Sequence, residues 1–175
     1  MHVIIDTANE EDLKRLTEIY NYYIIHSHAT FDIDIYSIQK RQNWFRQFAA
    51  QGPYRLFVAR SEGNIIGYAS SSQLRPKPAY NTSVETTIYI DPLHLGEGIG
   101  YKLYHKLFFT LEQEESLHRA FAGITLPNEN SVSLHQRFAF NLIGIFREVG
   151  NKFGRYWDVA WYDRDISSPT LEAPV

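Results

Sequence analysis

The sequence predicts a single α/β domain built on a mixed, mostly antiparallel central sheet flanked by helices. Three observations lead there. The chain has 175 residues, inside the ~100–200 residues of one domain. Hydrophobic residues make up 44% and charged residues 21%, the balance of a chain that packs a core. Apolar periodicity alternates between strand and helix in the order β-α-α-β-β-β-α-β-α-β-β, without an internal repeat, a low-complexity block or a linker.

Each element has a local cause. A short strand opens the chain. Thr7 followed by Glu10 has capping-box spacing, and Leu13, Leu16, Tyr20 and Tyr23 recur at helical spacing to about Ile25. Asp32 to Tyr36 reads as a loop. Ser37 then caps a second helix with an apolar face of Ile38, Trp44, Phe45 and Phe48, stopped by Gly52-Pro53. Leu56 to Ala59 and Ile65 to Ser71 flank the turn Glu62-Gly63-Asn64 and spell a hairpin. Arg75-Pro76-Lys77-Pro78 is a loop, because each proline removes a ladder donor and restricts the residue before it. Strand Val84 to Ile90 ends at Asp91-Pro92 and gives way to a glycine-rich turn. A helix follows with Ile99, Leu103, Leu107 and Leu111 on one face. The remainder reads as strand Ala120 to Leu126, helix Ser131 to Phe138, and strands Ile143 to Val149 and Trp157 to Asp163. The domain is expected to span residues 1–166, with 167–175 as a disordered tail.

Composition excludes several functions. Seventeen Lys and Arg against 20 Asp and Glu give a net charge of -3, with no general electrostatic footprint for nucleic acid or an anionic membrane. The absence of cysteine removes disulfides, thiolate metal sites and any Cys nucleophile. The first residues lack a basic segment followed by a long apolar one, and no stretch approaches the ~18 apolar residues of a membrane span. A cytoplasmic location is therefore expected. The seven histidines show no ligand spacing, so no metal is expected.

The most informative segment is Gly96-Glu97-Gly98-Ile99-Gly100, between a β-branched strand and an amphipathic helix. Free N–H groups at such a helix start can cradle an anion, above all a pyrophosphate. Neither nucleotide fingerprint fits: Tyr101 stands where a Rossmann turn needs glycine, and no Gly-Lys-Ser/Thr follows. Upstream, Glu85 lies on a strand otherwise rich in Val, Thr, Ile and Tyr, where a carboxylate must reach water or partners. His135 lies on a later helix, and its ordinary pKa of ~6.5 suits proton relay. Arg75, Lys77 and Tyr80 form a cationic and hydroxyl-bearing group in a proline-stiffened loop, suited to a carboxylate or a phosphinate-like group. Phe31 is a candidate pocket wall.

Taken in order, Thr30-Phe31-Asp32, the run from Arg75 to Ile90, the glycine turn, Leu126 to His135, and Glu148 to Arg155 resemble the phosphinothricin acetyltransferase branch of the GNAT superfamily of N-acetyltransferases. The resemblance runs from about residue 2 to 165. It implies that Gly96, Glu97, Gly98, Ile99, Gly100 and Tyr101 form the pyrophosphate loop for acetyl-CoA. It implies that the backbone of Ile88, Tyr89 and Ile90 is a splayed strand bonding the pantetheine, with Asn128 and Ser131 near it. Glu85 matches the proposed acid/base carboxylate and His135 the helix histidine of the same site. Tyr89 and Tyr101 are both candidates to protonate the leaving thiolate. Two departures stand out: Leu95 replaces the family's Arg or Gln before the loop, and Ala139-Phe140 replaces Gly-Phe.

The implied activity is transfer of an acetyl group to the amine of a small amino acid or analogue, of the phosphinothricin, methionine sulfone or methionine sulfoximine type. It would proceed in a ternary complex by direct attack, and the family implies a homodimer. Another amine or a peptide α-amine is the alternative acceptor, and a non-catalytic acyl-CoA-binding sensor is the alternative class.

Overall fold

The computed structural model describes residues 2–168 and 170–172. Seven strands, β1 (Ile4–Thr7), β2 (Leu56–Ser61), β3 (Asn64–Gln73), β4 (Ser83–Ile90), β5 (Arg119–Thr125), β6 (Asn141–Lys152) and β7 (Arg155–Asp165), form one sheet in the order β1-β2-β3-β4-β5-β7-β6. Every pairing is antiparallel except β4 with β5. That one parallel junction requires a crossover, and α3 (Ile99–Leu111) supplies it. The other helices are α1 (Leu13–His26), α2 (Ile38–Phe45) and α4 (Glu129–Arg137). The element order is that expected from the periodicities.

Strand parity sorts the side chains into two layers. On one face Leu56, Val58, Ile65 and Tyr68 pack with Leu16 and Ile19 of α1, and Trp44 of α2 and Tyr89 of β4 join them. On the other, Phe57, Ala59, Ile66, Ala69, Val84, Ala120, Ala122 and Ile124 pack against Leu103, Leu107 and Leu111 of α3. Phe138 and Phe140, at the end of α4, belong to this second cluster. A period of two that changes face at every residue decides which layer each β4 side chain serves.

Three local expectations are corrected. Thr7 is the last residue of β1 and does not cap; Asn9 does, accepting from the Glu11 amide at 2.9 Å while the Asp12 carboxylate accepts from the Asn9 amide at 2.9 Å. In α2 the inward residue near the start is Arg41, 5% exposed, and Ile38 is 43% exposed. The Arg41 guanidinium lies 3.5 Å from the Trp44 ring centroid and 4.2 Å from that of Tyr20, so aromatic faces accept a charge that the apolar spacing did not foresee.

The third correction concerns the tail. The amides of Thr170 and Leu171 donate to the buried Glu112 carboxylate at 2.8 and 3.0 Å, Glu112 is also paired with Arg164, and Leu171 packs on the larger core. Thr170 and Leu171 are therefore held against the folded domain. Residues 169 and 173–175 lie outside the described residues.

Candidate active site

The site begins where two strands part. The β4–β5 ladder consists of Ser83 with Arg119, Val84 with Ala120 and Glu85 with Phe121. Beyond it β4 pairs only with β3, through Tyr89 and Ile90, and β5 only with β7, through Thr125. The Thr86 hydroxyl donates to the Phe121 carbonyl at 3.3 Å at the point of divergence. Ile88, Tyr89 and Ile90 thus sit on an internal strand edge and are partly exposed. The Ile90 carbonyl accepts from the Tyr23 hydroxyl at 2.6 Å.

At the end of β4, Asp91, 5% exposed, accepts from the Leu93 amide at 3.0 Å and pairs with Arg15 of α1. This anchors the glycine turn. Gly96 and Gly98 have φ of +82° and +75°, a left-handed conformation that favours glycine, and a Cβ at either would meet nothing within 4 Å. Gly98 caps α3 without a side-chain hydrogen bond, which leaves the first N–H groups of the helix facing open space. At Gly100 a Cβ would come within 3.1 Å of Leu134 and 3.6 Å of Ile88. The glycine there lets the start of α3 approach both β4 and α4. The Glu97 carboxylate turns to His94 Nδ1 at 3.1 Å, and Leu95 is 56% exposed.

On α4, the Asn128 side chain caps the helix by accepting from the Ser131 amide at 3.2 Å. His135 is buried. Its Nδ1 lies 2.7 Å from the Ser131 carbonyl, which only accepts, so Nδ1 carries the proton and Nε2 accepts from the Tyr104 hydroxyl at 2.9 Å. Burial pushes the His135 pKa down to about 4, against the smaller opposing effect of the Ser131 carbonyl. The imidazole is neutral at pH 7. Burial likewise pushes the Tyr104 hydroxyl up.

Glu85 lies on the opposite side. Thr86 and Val84 face α3, so the alternation of β4 turns Glu85 toward the face that carries Tyr89. Burial raises the Glu85 pKa above the usual carboxylate value, and the nearby Arg75 guanidinium opposes that rise. Arg75 also sits 5.9 Å from the Trp161 ring centroid. Trp161 lies across Gly123 of β5, where a Cβ would be 3.3 Å from its ring. Phe31 reaches β6 and occupies the space above Gly150, where a Cβ would fall 2.2 Å from the Phe31 ring. Lys77 precedes and Tyr80 ends a short 3-10 turn, Pro78–Tyr80, and both are exposed.

The structure therefore gathers the sequence candidates into two groups. The glycine turn, Ile88 to Ile90, Asn128 and Ser131 border the opening between β4 and β5. Glu85 and Arg75 lie together on the face toward α1 and α2. The expectation of Glu85 and His135 in one shared site is corrected: they face opposite sides of β4, and His135 is only 3% exposed. Tyr89 packs against Tyr20, Tyr23 and Tyr68, with centroid distances of 5.1 to 5.6 Å. Burial moves its hydroxyl up to about 12. Tyr101 packs on Phe138 at 5.1 Å.

Two residues escaped sequence reasoning. Trp161 gave one readable signal, the glycine at position 123 in a strand, which marks a close approach. Arg137, whose guanidinium stacks on Tyr101 at 4.7 Å, brings a cation to the start of α3, and no motif announced it.

Comparison with known proteins gives the family and the fold. The acetyltransferase (GNAT) domain family matches residues 5–161. A phosphinothricin N-acetyltransferase of Streptomyces coelicolor is 53% identical over 159 residues, covering 90% of this chain and 92% of the relative. An L-methionine sulfoximine/L-methionine sulfone acetyltransferase of Pseudomonas paraeruginosa is 31% identical over 174 residues, 99% of this chain and 100% of the relative. The crystal structure of a GNAT superfamily phosphinothricin acetyltransferase from Sinorhizobium meliloti in complex with acetyl-CoA superposes with a TM-score of 0.90 at 30% identity, covering 100% of this chain and 94% of the other.

Proposed function

The chain belongs to the GNAT acetyltransferase family, and from that premise we propose that it acetylates the amino group of a small amino acid or analogue of the phosphinothricin or methionine sulfoximine class. The carrying observation is the conjunction of an internal strand edge, an open left-handed glycine turn at a helix start, and a partly desolvated carboxylate beside Arg75. Named relatives act on acceptors of that class.

The residues fit acetyl-CoA. Gly96, Gly98 and the uncapped start of α3 present amides to a pyrophosphate, with Glu97, Ile99, Gly100 and Tyr101 shaping the turn. Ile88, Tyr89 and Ile90 offer backbone groups to the pantetheine arm, and Asn128 and Ser131 form the facing wall. Acetyl-CoA supplies an activated acetyl group as its thioester. Because the amides of the turn are the anion donors, Leu95 need not be charged, and Arg137 contributes the nearby cation.

Glu85 receives the proton of the acceptor ammonium, directly or through water, so that a neutral amine attacks. No acyl-enzyme is needed. Its raised pKa makes it a better base than an ordinary surface carboxylate. Arg75, with Lys77 and Tyr80 on the same loop, binds the acceptor's acidic group, and Phe31 and Trp161 wall the pocket. His135 works through Tyr104, which it orients. Tyr89, on the strand edge, and Tyr101, after the glycine turn, are the two groups proposed to return a proton to the thiolate.

We assign self-association to β6, which ends the sheet and exposes Leu142, Ile143, Ile145, Phe146 and Val149, each by 44% or more. A cytoplasmic homodimer is the state proposed for the enzyme. The test of function is release of free CoA from acetyl-CoA across a panel of amines and amino-acid analogues. Turnover is expected with phosphinothricin or methionine sulfoximine. Tight acetyl-CoA binding with no turnover on any amine would instead identify a sensor.

A further inference from the structure

We propose that Lys152 is a positioning residue for the acceptor subsite, holding the Ser27–Asp32 segment so that Phe31 forms a fixed wall; this rests on the acetyltransferase reading above. Lys152 ends β6, far in sequence from α1, yet it is only 4% exposed. Its ammonium donates to the carbonyls of Ser27 at 2.8 Å and Thr30 at 2.7 Å, with the Tyr23 carbonyl at 3.5 Å. Three donors thus meet three carbonyls at the C-terminal end of α1 and the segment after it. A charge removed from water must be held by such a set, and the end of a helix favours a cation.

The segment it grips is the one that builds the pocket. Thr30 Oγ1 lies 2.8 Å from the Tyr20 hydroxyl, which donates to Asp32 at 2.6 Å, so the turn around Phe31 is fixed on both sides. Gly150, two residues before Lys152 on the same strand, has its Cα side covered by the Phe31 ring, leaving no room for a methyl group. One hairpin therefore supplies both the clamp that holds the segment and the bare backbone on which its aromatic ring rests. The Trp157 indole donates to the Lys152 carbonyl at 2.9 Å and fixes the hairpin itself.

A residue that merely stabilised the fold would affect both substrates alike. A positioning residue for this subsite separates them. Lys152→Met should raise the acceptor KM by ~10-fold or more with the acetyl-CoA KM changed less than about twofold, and Lys152→Arg should recover part of the loss. Gly150→Ala, which leaves Lys152 intact and displaces only the Phe31 ring, should show the same split. If Lys152→Met does not fold, Lys152→Arg read by the same KM split and by hydrogen exchange carries the test. Independently of turnover, amide hydrogen exchange of residues 28–32 should accelerate by ~10-fold or more in Lys152→Met while α3 stays unchanged. Parallel rises in both KM values, or unchanged acceptor KM and unchanged exchange, would overturn the proposal. If the wild-type chain acetylates no amine, the acetyltransferase reading falls, and the exchange measurement still decides whether Lys152 holds the segment.

Discussion

Glu85 has been given an environment that favours its neutral form. Burial raises its pKa, and the guanidinium of Arg75 only partly offsets this. The sign for stability follows: a carboxyl whose folded pKa is raised contributes stability below its unfolded value and loses it as pH rises through the folded value. At neutral pH, above the unfolded value, burial of Glu85 therefore works against the folded state. Glu85→Gln should therefore melt no lower than the wild type at pH 7, while kcat falls by ~10²–10³-fold with the acetyl-CoA KM preserved. The kcat deficit should shrink at high pH, where the acceptor amine is already neutral. Wild-type turnover in Glu85→Gln would remove this carboxylate from the mechanism. The sequence made Glu85 readable because a charge on a β-branched strand needs a reason. Its companion Arg75 was readable only as a loop cation, since proximity across a turn leaves no period in the sequence.

At the scale of elements, His135 joins α4 to α3 through Tyr104. Its folded pKa of about 4 lies below the ordinary 6.5. The unfolded chain therefore binds a proton that the folded one refuses, and stability falls as pH drops from about 6.5 to about 4. That gap corresponds to about 3 kcal/mol at ~1.4 kcal/mol per unit. Over this range His135→Asn should lose less stability than the wild type, by up to about 3 kcal/mol, measured by denaturant unfolding at each pH. Equal slopes would mean that the imidazole is not sequestered. The helix itself was legible as Ser131 to Phe138, whereas its cap, Asn128, emerged only from the structure. The direction of its histidine was not, because a ring between Leu134 and Phe138 reads equally well as core or as catalyst until α3 is placed beside it. Arg41 of α2 eluded the sequence for the same reason: the aromatic faces that accept it come from other elements.

At the scale of the molecule, the sheet has two parts joined by three parallel residue pairs and by α3. The order of elements and the two-sided core were legible because strand parity and helical period are local properties. The parting of β4 from β5 was expected only from resemblance, since it depends on where two distant strands stop pairing. A ligand filling that gap stabilises the folded state alone. Acetyl-CoA at about 100 times its Kd should add ~2.7 kcal/mol, or about 5–10 °C in Tm for a chain of this size. No shift at saturation would argue against binding in the gap.

The same parting has a meaning for solubility. Strand edges normally occur at the margins of a sheet, where they invite pairing with other proteins. Here one lies in the interior, with α3 and α4 beside its mouth and β3 and β7 closing the flanks. A second polypeptide strand would need the full ~4.8 Å spacing on both sides and room for alternating side chains. A slender chain bearing amides but no regularly alternating side chains faces no such demand. The fold thus keeps an unsatisfied backbone available while denying it to the partner that most often exploits one, and thinness becomes the entry criterion.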